Sequence, residues 1–186
     1  MQNAFINNIL SDLKVELKEA FDLNFEKKSF FGKPWPTSLI PNRRGSLMAR
    51  SGALRRSIRA HATPAAGTIT FTSSMPYAAI NNDGGTIVVT AKMKRYFWAR
   101  YYELTGKVTY NVKTKSANYN AKTRKVTAEA VYWKAMALKK VGSKLTIRQR
   151  QFIGHHAQVD TIVEQVADRN FKALATQLKT ILKPKP

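Results

Sequence analysis

The chain has 186 residues, 44% of them hydrophobic, enough to bury a real core in one domain with about 70% of its unfolded surface removed from water. It has no Cys, which excludes a disulfide framework, a thiolate metal site and a cysteine nucleophile. Its 32 Lys and Arg against 11 acids give +21, concentrated in the middle, since residues 1–26 carry two bases and five acids (−3), residues 27–159 carry 25 and three (+22), and residues 160–186 five and three (+2).

Such a field favours polyanions or acidic protein surfaces and says nothing about fold. At the start, Phe5, Ile6, Ile9, Leu10, Leu13, Leu17, Ala20, Phe21 and Phe25 recur at i, i+3, i+4, with Asp12, Glu16, Glu19, Asp22 and Glu26 on the opposite face. This predicts a long amphipathic helix whose apolar stripe faces a core. The opening lacks the basic segment of a signal peptide, and no apolar run nears the roughly 20 residues that span a bilayer, so a soluble chain made in a cytoplasm is expected. From Lys27 to Gly45, Pro34, Pro36 and Pro41 exclude regular structure, and Trp35 is expected to pack on the neighbouring helix.

Leu47, Met48, Ala53, Leu54 and Ile58 then predict a short amphipathic helix, interrupted at Ser51-Gly52 and stopped by Pro64 and Gly67. Thr68-Ile69-Thr70-Phe71-Thr72 alternates as a strand with Ile69 and Phe71 inward. Tyr77-Ala78-Ala79-Ile80 leads into Asn81-Asn82-Asp83-Gly84-Gly85, residue types that tolerate left-handed angles, and Thr86–Thr90 reads as a second strand. The two strands are expected to pair antiparallel about that turn. Farther on, Met93–Leu104, with Phe97, Tyr101 and Leu104 on one side, and Ala128–Lys140 predict two helices. The basic Gly106–Thr127 segment between them predicts a hairpin or loop. Leu145-Thr146-Ile147 is extended, and from Asp160 a helical period returns through Ile162, Val163, Val166, Ala167, Phe171, Leu174, Leu178, Ile181 and Leu182.

Chemistry-bearing patterns are sparse. Ser57 and His61 lie four apart, but no nearby acid orients the imidazole. His155-His156, beside Gln158 and Asp160, lacks a third strong metal ligand at useful spacing and reads as a surface pair. Gly84-Gly85 lacks the Gly-Lys-Ser/Thr of a phosphate loop. Lys and Arg interleaved with Tyr96, Tyr101, Tyr102, Tyr110, Tyr119 and Tyr132 favour single-stranded nucleic acid through stacking, which makes a basic nucleic-acid-binding accessory protein the alternative function.

Four segments in order carry a resemblance. They are Gly32-Lys33-Pro34-Trp35-Pro36; Ser51, Gly52, Leu54, Ser57 and Ile58 as S-G-x-L-x-x-S-I; Pro76 to Gly85, with Tyr77, Ala78, Ile80, Asn81, Gly84 and Gly85; and Arg150, Phe152 and Gly154 as R-x-F-x-G. Together they resemble the phage virion morphogenesis family of Mu-like tail-completion proteins, many of whose members carry His where Asn81 stands and Pro where Arg148 stands. The resemblance implies an α+β fold, with long N- and C-terminal helices packed on a small antiparallel sheet. It implies a single tail-completion-like domain over 1–186, with the helices and loop of 92–140 as an insertion. It further implies a non-enzymatic structural role at the neck, without catalytic residues, metal or cofactor. The implied partners are connector, tail-terminator and tail-tube proteins and other copies of the chain in a ring, commonly sixfold, through which DNA passes without sequence-specific binding. The implied location is the virion, after assembly in the host cytoplasm. Six copies would carry a formal +126 (6 × 21), and a bore lined with it would hold DNA by counterion release. Arg55, Arg56, Arg59, Lys113, Lys115, Lys122, Arg124 and Lys125 are therefore expected to form a basic interface away from the channel.

Overall fold

The computed structural model describes residues 2–38, 48–106, 109–111, 113, 116–118 and 127–182. In chain order its elements are α1 (Gln2–Lys27), β1 (Ser29–Phe30), β2 (Lys33–Pro34), α2 (Ala53–Ser57), β3 (Ile58–Thr63), a 3-10 turn (Pro64–Ala66), β4 (Thr68–Ser73), α3 (Ala78–Asp83), β5 (Gly85–Val88), α4 (Ala91–Thr105), β6 (Thr109–Asn111), β7 (Ser116–Asn118), α5 (Ala128–Leu138), β8 (Lys144–Ile147) and α6 (Ala157–Ile181). The fold is α+β, with long terminal helices and small antiparallel two-stranded sheets. Where length alone suggested one domain, the chain divides into two compact units. One comprises Met1–Thr37, Arg44–Gly84 and Arg148–Pro186; the other comprises Ser38–Arg43 and Gly85–Ile147, wider than the insertion expected over 92–140.

In the first unit the predicted stripe of α1 is the buried one: Leu10, Leu13, Leu17, Phe21 and Phe25 are all shielded from solvent. α6 runs antiparallel along α1. Phe5 meets Phe171 with ring centroids 5.1 Å apart, Asn170 donates to Asp12 over 2.9 Å, Arg169 pairs with Glu16, and Leu17 and Phe21 share a cluster with Val159 and Ile162. His156 starts α6, its Nδ1 accepting the Gln158 N–H while its ring stacks on Phe31 at 4.8 Å. Phe31 and Gly32, with φ of 44° and 91°, form the two-residue turn between β1 and β2, the left-handed pair such a tight hairpin requires.

The strand pairing differs from the expectation. Thr68–Ser73 pairs not with residues 86–90 but with Ile58–Thr63, in a register running from Ile58↔Ser73 to Thr63↔Thr68. The predicted helix ends at Ser57, and the residues given to its second half are a strand. A four-residue connection with Gly67 at φ 61° closes this hairpin at low entropic cost, and Ile58 and Phe71 then both reach the core. The presumed turn after Pro76 is instead the short helix α3.

In the second unit β5 pairs antiparallel with β8, from Gly85↔Ile147 to Val88↔Lys144. Val89, Phe97, Ala137 and Leu145 form its buried centre, with Trp133 and Met136 against it. The two predicted helices are present as α4 and α5, started by Thr90 and Thr127, whose hydroxyls accept the Met93 and Ala130 amides over 3.2 Å. The expected hairpin between them is there as β6 and β7. Among the described residues no helix is long and apolar enough to cross a membrane.

Candidate functional site

The four motif segments, more than a hundred residues apart at their extremes, meet around Phe152, whose side chain is fully buried. Trp35, Leu54, Ile58, Ala78 and Phe152 lie in one apolar cluster with Phe25 and Met48. The Phe152 ring sits 5.1 Å from Phe25, and Trp35 also meets Phe25, nearly edge-on, at 5.6 Å and 81°. Trp35 thus packs on α1 as expected, and its indole Nε1 donates to the Gln151 carbonyl over 2.6 Å.

Polar contacts close the same clasp. The Asn82 side-chain oxygen accepts both the Phe152 and Ile153 amides, at 2.9 and 3.1 Å. The Asn81 carbonyl accepts the Arg150 amide over 2.8 Å, and Arg150 Nε donates to the Pro36 carbonyl over 3.2 Å. Burial, and secondarily the charge of Arg148, lowers the pKa of the Arg150 guanidinium from its usual value. From below, Asn24 donates to the Phe152 carbonyl at 3.2 Å and accepts the Phe31 amide at 3.0 Å. One short segment is therefore held through both its N–H and its C=O by two asparagines from different helices.

Gly84 closes α3 at φ 72° and ψ −165°, a region open in practice only to glycine, and a Cβ there would lie 2.9 Å from the Gln149 amide nitrogen. Gly84→Ala is expected to lower stability by about 2 kcal/mol or more, from backbone strain before any clash is counted. An unchanged urea midpoint for this variant would contradict that role. Gly52 enters α2 at φ 68°, while Gly85 opens β5. Gly154 has φ 138°, and a Cβ there would meet the Gln151 side-chain amide at 2.6 Å. Ser51 Oγ accepts the Ala53 amide at 3.3 Å. Ser57 donates to the Leu54 carbonyl and bonds the Ser73 hydroxyl, both at 2.7 Å, while His61 lies exposed on β3. The hydroxyl is thus committed to the backbone and to Ser73. His155 is exposed and 3.2 Å from Asp160, and among the described residues no group of three His, Asp or Glu is placed to hold a metal.

An open cleft of about 240 Å³ borders the clasp, lined by Met48, Arg50, Ser51, Gly52, Ala53, Leu54, Tyr77 and Asn81, so two of the motif segments form its walls. Tyr77 is exposed at its edge, and Ile80 is half-buried on α3. Gly32 and Pro34 lie exposed on the β1–β2 hairpin, whose first strand, Ser29–Phe30, is buried.

The basic residues divide. Arg55 donates to Asp22 and Glu26 of α1, and those hydrogen bonds, led by those to Asp22, push its pKa higher still. Its charge is matched within the unit, unlike that of a free interface cation. Arg56 and Arg59 are exposed, with Arg59 donating to the Arg56 carbonyl over 2.8 Å, and Lys113 is exposed. Lys115, Lys122, Arg124 and Lys125 lie outside the described residues.

Sequence reasoning passed over Asn24 and did not single out Asn82. Asn24 did leave a signal, as a polar residue between Phe21 and Phe25 on the apolar face of α1, a position that demands internal partners. No protein family, curated protein or solved structure matches the chain.

Proposed function

We propose that this chain is a non-enzymatic structural protein of a tailed bacteriophage, completing the tail where head and tail join. The observation that carries the reading is the convergence on Phe152 of the four segments that resemble the tail-completion family. They make one clasp from amides, carbonyls, glycines and ring contacts. That chemistry fixes backbone position, which is what a protein working by shape requires. In this reading copies of the chain close a ring, commonly sixfold, against connector, tail-terminator and tail-tube proteins, in the virion after assembly in the host cytoplasm. The cleft beside the clasp and the exposed Arg56 and Arg59 offer surfaces for neighbouring subunits.

The test is genetic. A nonsense mutation in this gene of its phage should leave DNA-filled heads and separate tails in the lysate, joined when the protein is supplied from a plasmid. Normal, infectious particles from the mutant would overturn the reading.

A further inference from the structure

Between Gly85 and Ile147 the sequence holds 14 bases and two acids, 14 − 2 = +12. Both acids are engaged by one arginine: Arg100 pairs with Glu103 and, at 4.0 Å, with Glu129. The stretch as a whole therefore carries a large excess of positive charge.

Part of this excess lies on α4 beside aromatic rings. Lys92, Arg95, Tyr96, Ala99 and Tyr102 recur at i, i+3, i+4, i+7 and i+10, all exposed, and so share its outer face. Tyr96 and Tyr102 are 52% and 40% exposed, far more than rings serving a core. Each is nevertheless fixed from beneath. Tyr102 lies nearly parallel to Trp98, with centroids 5.6 Å apart and 21° between planes, and Tyr96 stands edge-on to Trp133 at 5.8 Å. Lys92, Lys94 and Arg95 also occupy the opening turns of α4, where the helix dipole opposes positive charge and no acid offsets them.

Exposed rings fixed beside Lys and Arg are what stacked bases and their phosphates recognise together, whereas an acidic protein surface needs the cations alone. We propose that the outer face of α4 is a binding site for single-stranded nucleic acid, with Tyr96 and Tyr102 stacking bases and Lys92 and Arg95 contacting phosphates. The site is sequence-tolerant, because every base offers a π-face. It lies in a different unit from the clasp and does not depend on the virion reading.

The experiment is fluorescence anisotropy of a labelled oligothymidylate with the full chain at two salt concentrations, with duplex DNA and polyglutamate as competitors. The expected result is salt-sensitive binding for which polyglutamate competes poorly. Tyr96→Ala with Tyr102→Ala should weaken it by about tenfold or more, because each lost stack removes part of the affinity. Lys92→Glu with Arg95→Glu should weaken it as well and flatten its salt dependence. Lys139→Glu with Lys140→Glu makes the same charge change at exposed positions beyond α5 and should cost much less. All four α4 positions are solvent-facing, so matching unfolding curves will show that the variants fold. Absence of binding, equal loss from the two charge-reversal pairs, no loss from the tyrosine pair, or equal binding of polyglutamate would each overturn the proposal.

Discussion

Phe152→Ala is expected to destabilise the first unit by about 3–5 kcal/mol, the range for removing a wholly buried ring from a core that cannot collapse around the gap. Collapse is prevented here because the segment carrying Phe152 is tied on both sides, by Asn82 to its amide and by Asn24 to its carbonyl. For a chain of this size each kcal/mol corresponds to roughly 2–4 °C, so thermal unfolding should shift down by about 6–20 °C. Phe152→Leu keeps most of the volume and should cost clearly less. Equal shifts for the two variants would mean that packing is not what Phe152 supplies.

The second large effect is expected at Asn24. Its replacement by Ala removes the side-chain partner of the Phe31 amide and of the Phe152 carbonyl, at about 1–3 kcal/mol each, so roughly 2–6 kcal/mol together. Asn24→Asp separates the donor role from general packing. A protonated aspartic acid can still donate to the Phe152 carbonyl, whereas the ionised form sets a buried charge against that oxygen, so the folded-state pKa is raised above the unfolded one. A group shifted upward contributes stability that is complete below its unfolded pKa and lost as pH rises through the folded value. Asn24→Asp should therefore approach the wild type in acid and fall away from it toward neutrality, measured by urea titrations across that window. A pH-independent deficit would show that the carbonyl contact is unimportant.

What the sequence made legible was whatever a period alone determines. α1 and α6 are long enough for their apolar residues to repeat over many turns, α4 sets Phe97, Tyr101 and Leu104 on one side, and α5 is composed mostly of strong helix formers, so all four were read nearly to their ends. Trp35 was readable too, since a large ring among prolines next to an amphipathic helix has one obvious place to go. The six residues Ile58–Thr63 were not. By propensity Arg-Ala-His-Ala favours a helix, and pairing with Thr68–Ser73 overrides it. Residues Ala78–Asp83 misled for a different reason. Asn-Asn-Asp-Gly is turn chemistry in isolation, but here the Asn81 carbonyl and the Asn82 side chain receive amides from Arg150, Phe152 and Ile153, some 70 positions away. No local pattern encodes a partner at that distance. The four motif segments were visible as a set, while the chemistry that joins them, two asparagines and a tryptophan N–H on the backbone of residues 151–153, became visible only in three dimensions.

The nesting of one unit inside the other also sets the order in which the polypeptide can mature as it is made. All of Gly85–Ile147 is polymerised, and emerges from the ribosome, ahead of Arg148, so the outer unit is the last to receive its full set of residues. Until Phe152 emerges, α1, Trp35 and the β3–β4 hairpin present bare apolar surface with nothing to cover it. During translation that bare surface is of the kind chaperones cover, and α1, though made before the other elements of its unit, is among the last of them to become native.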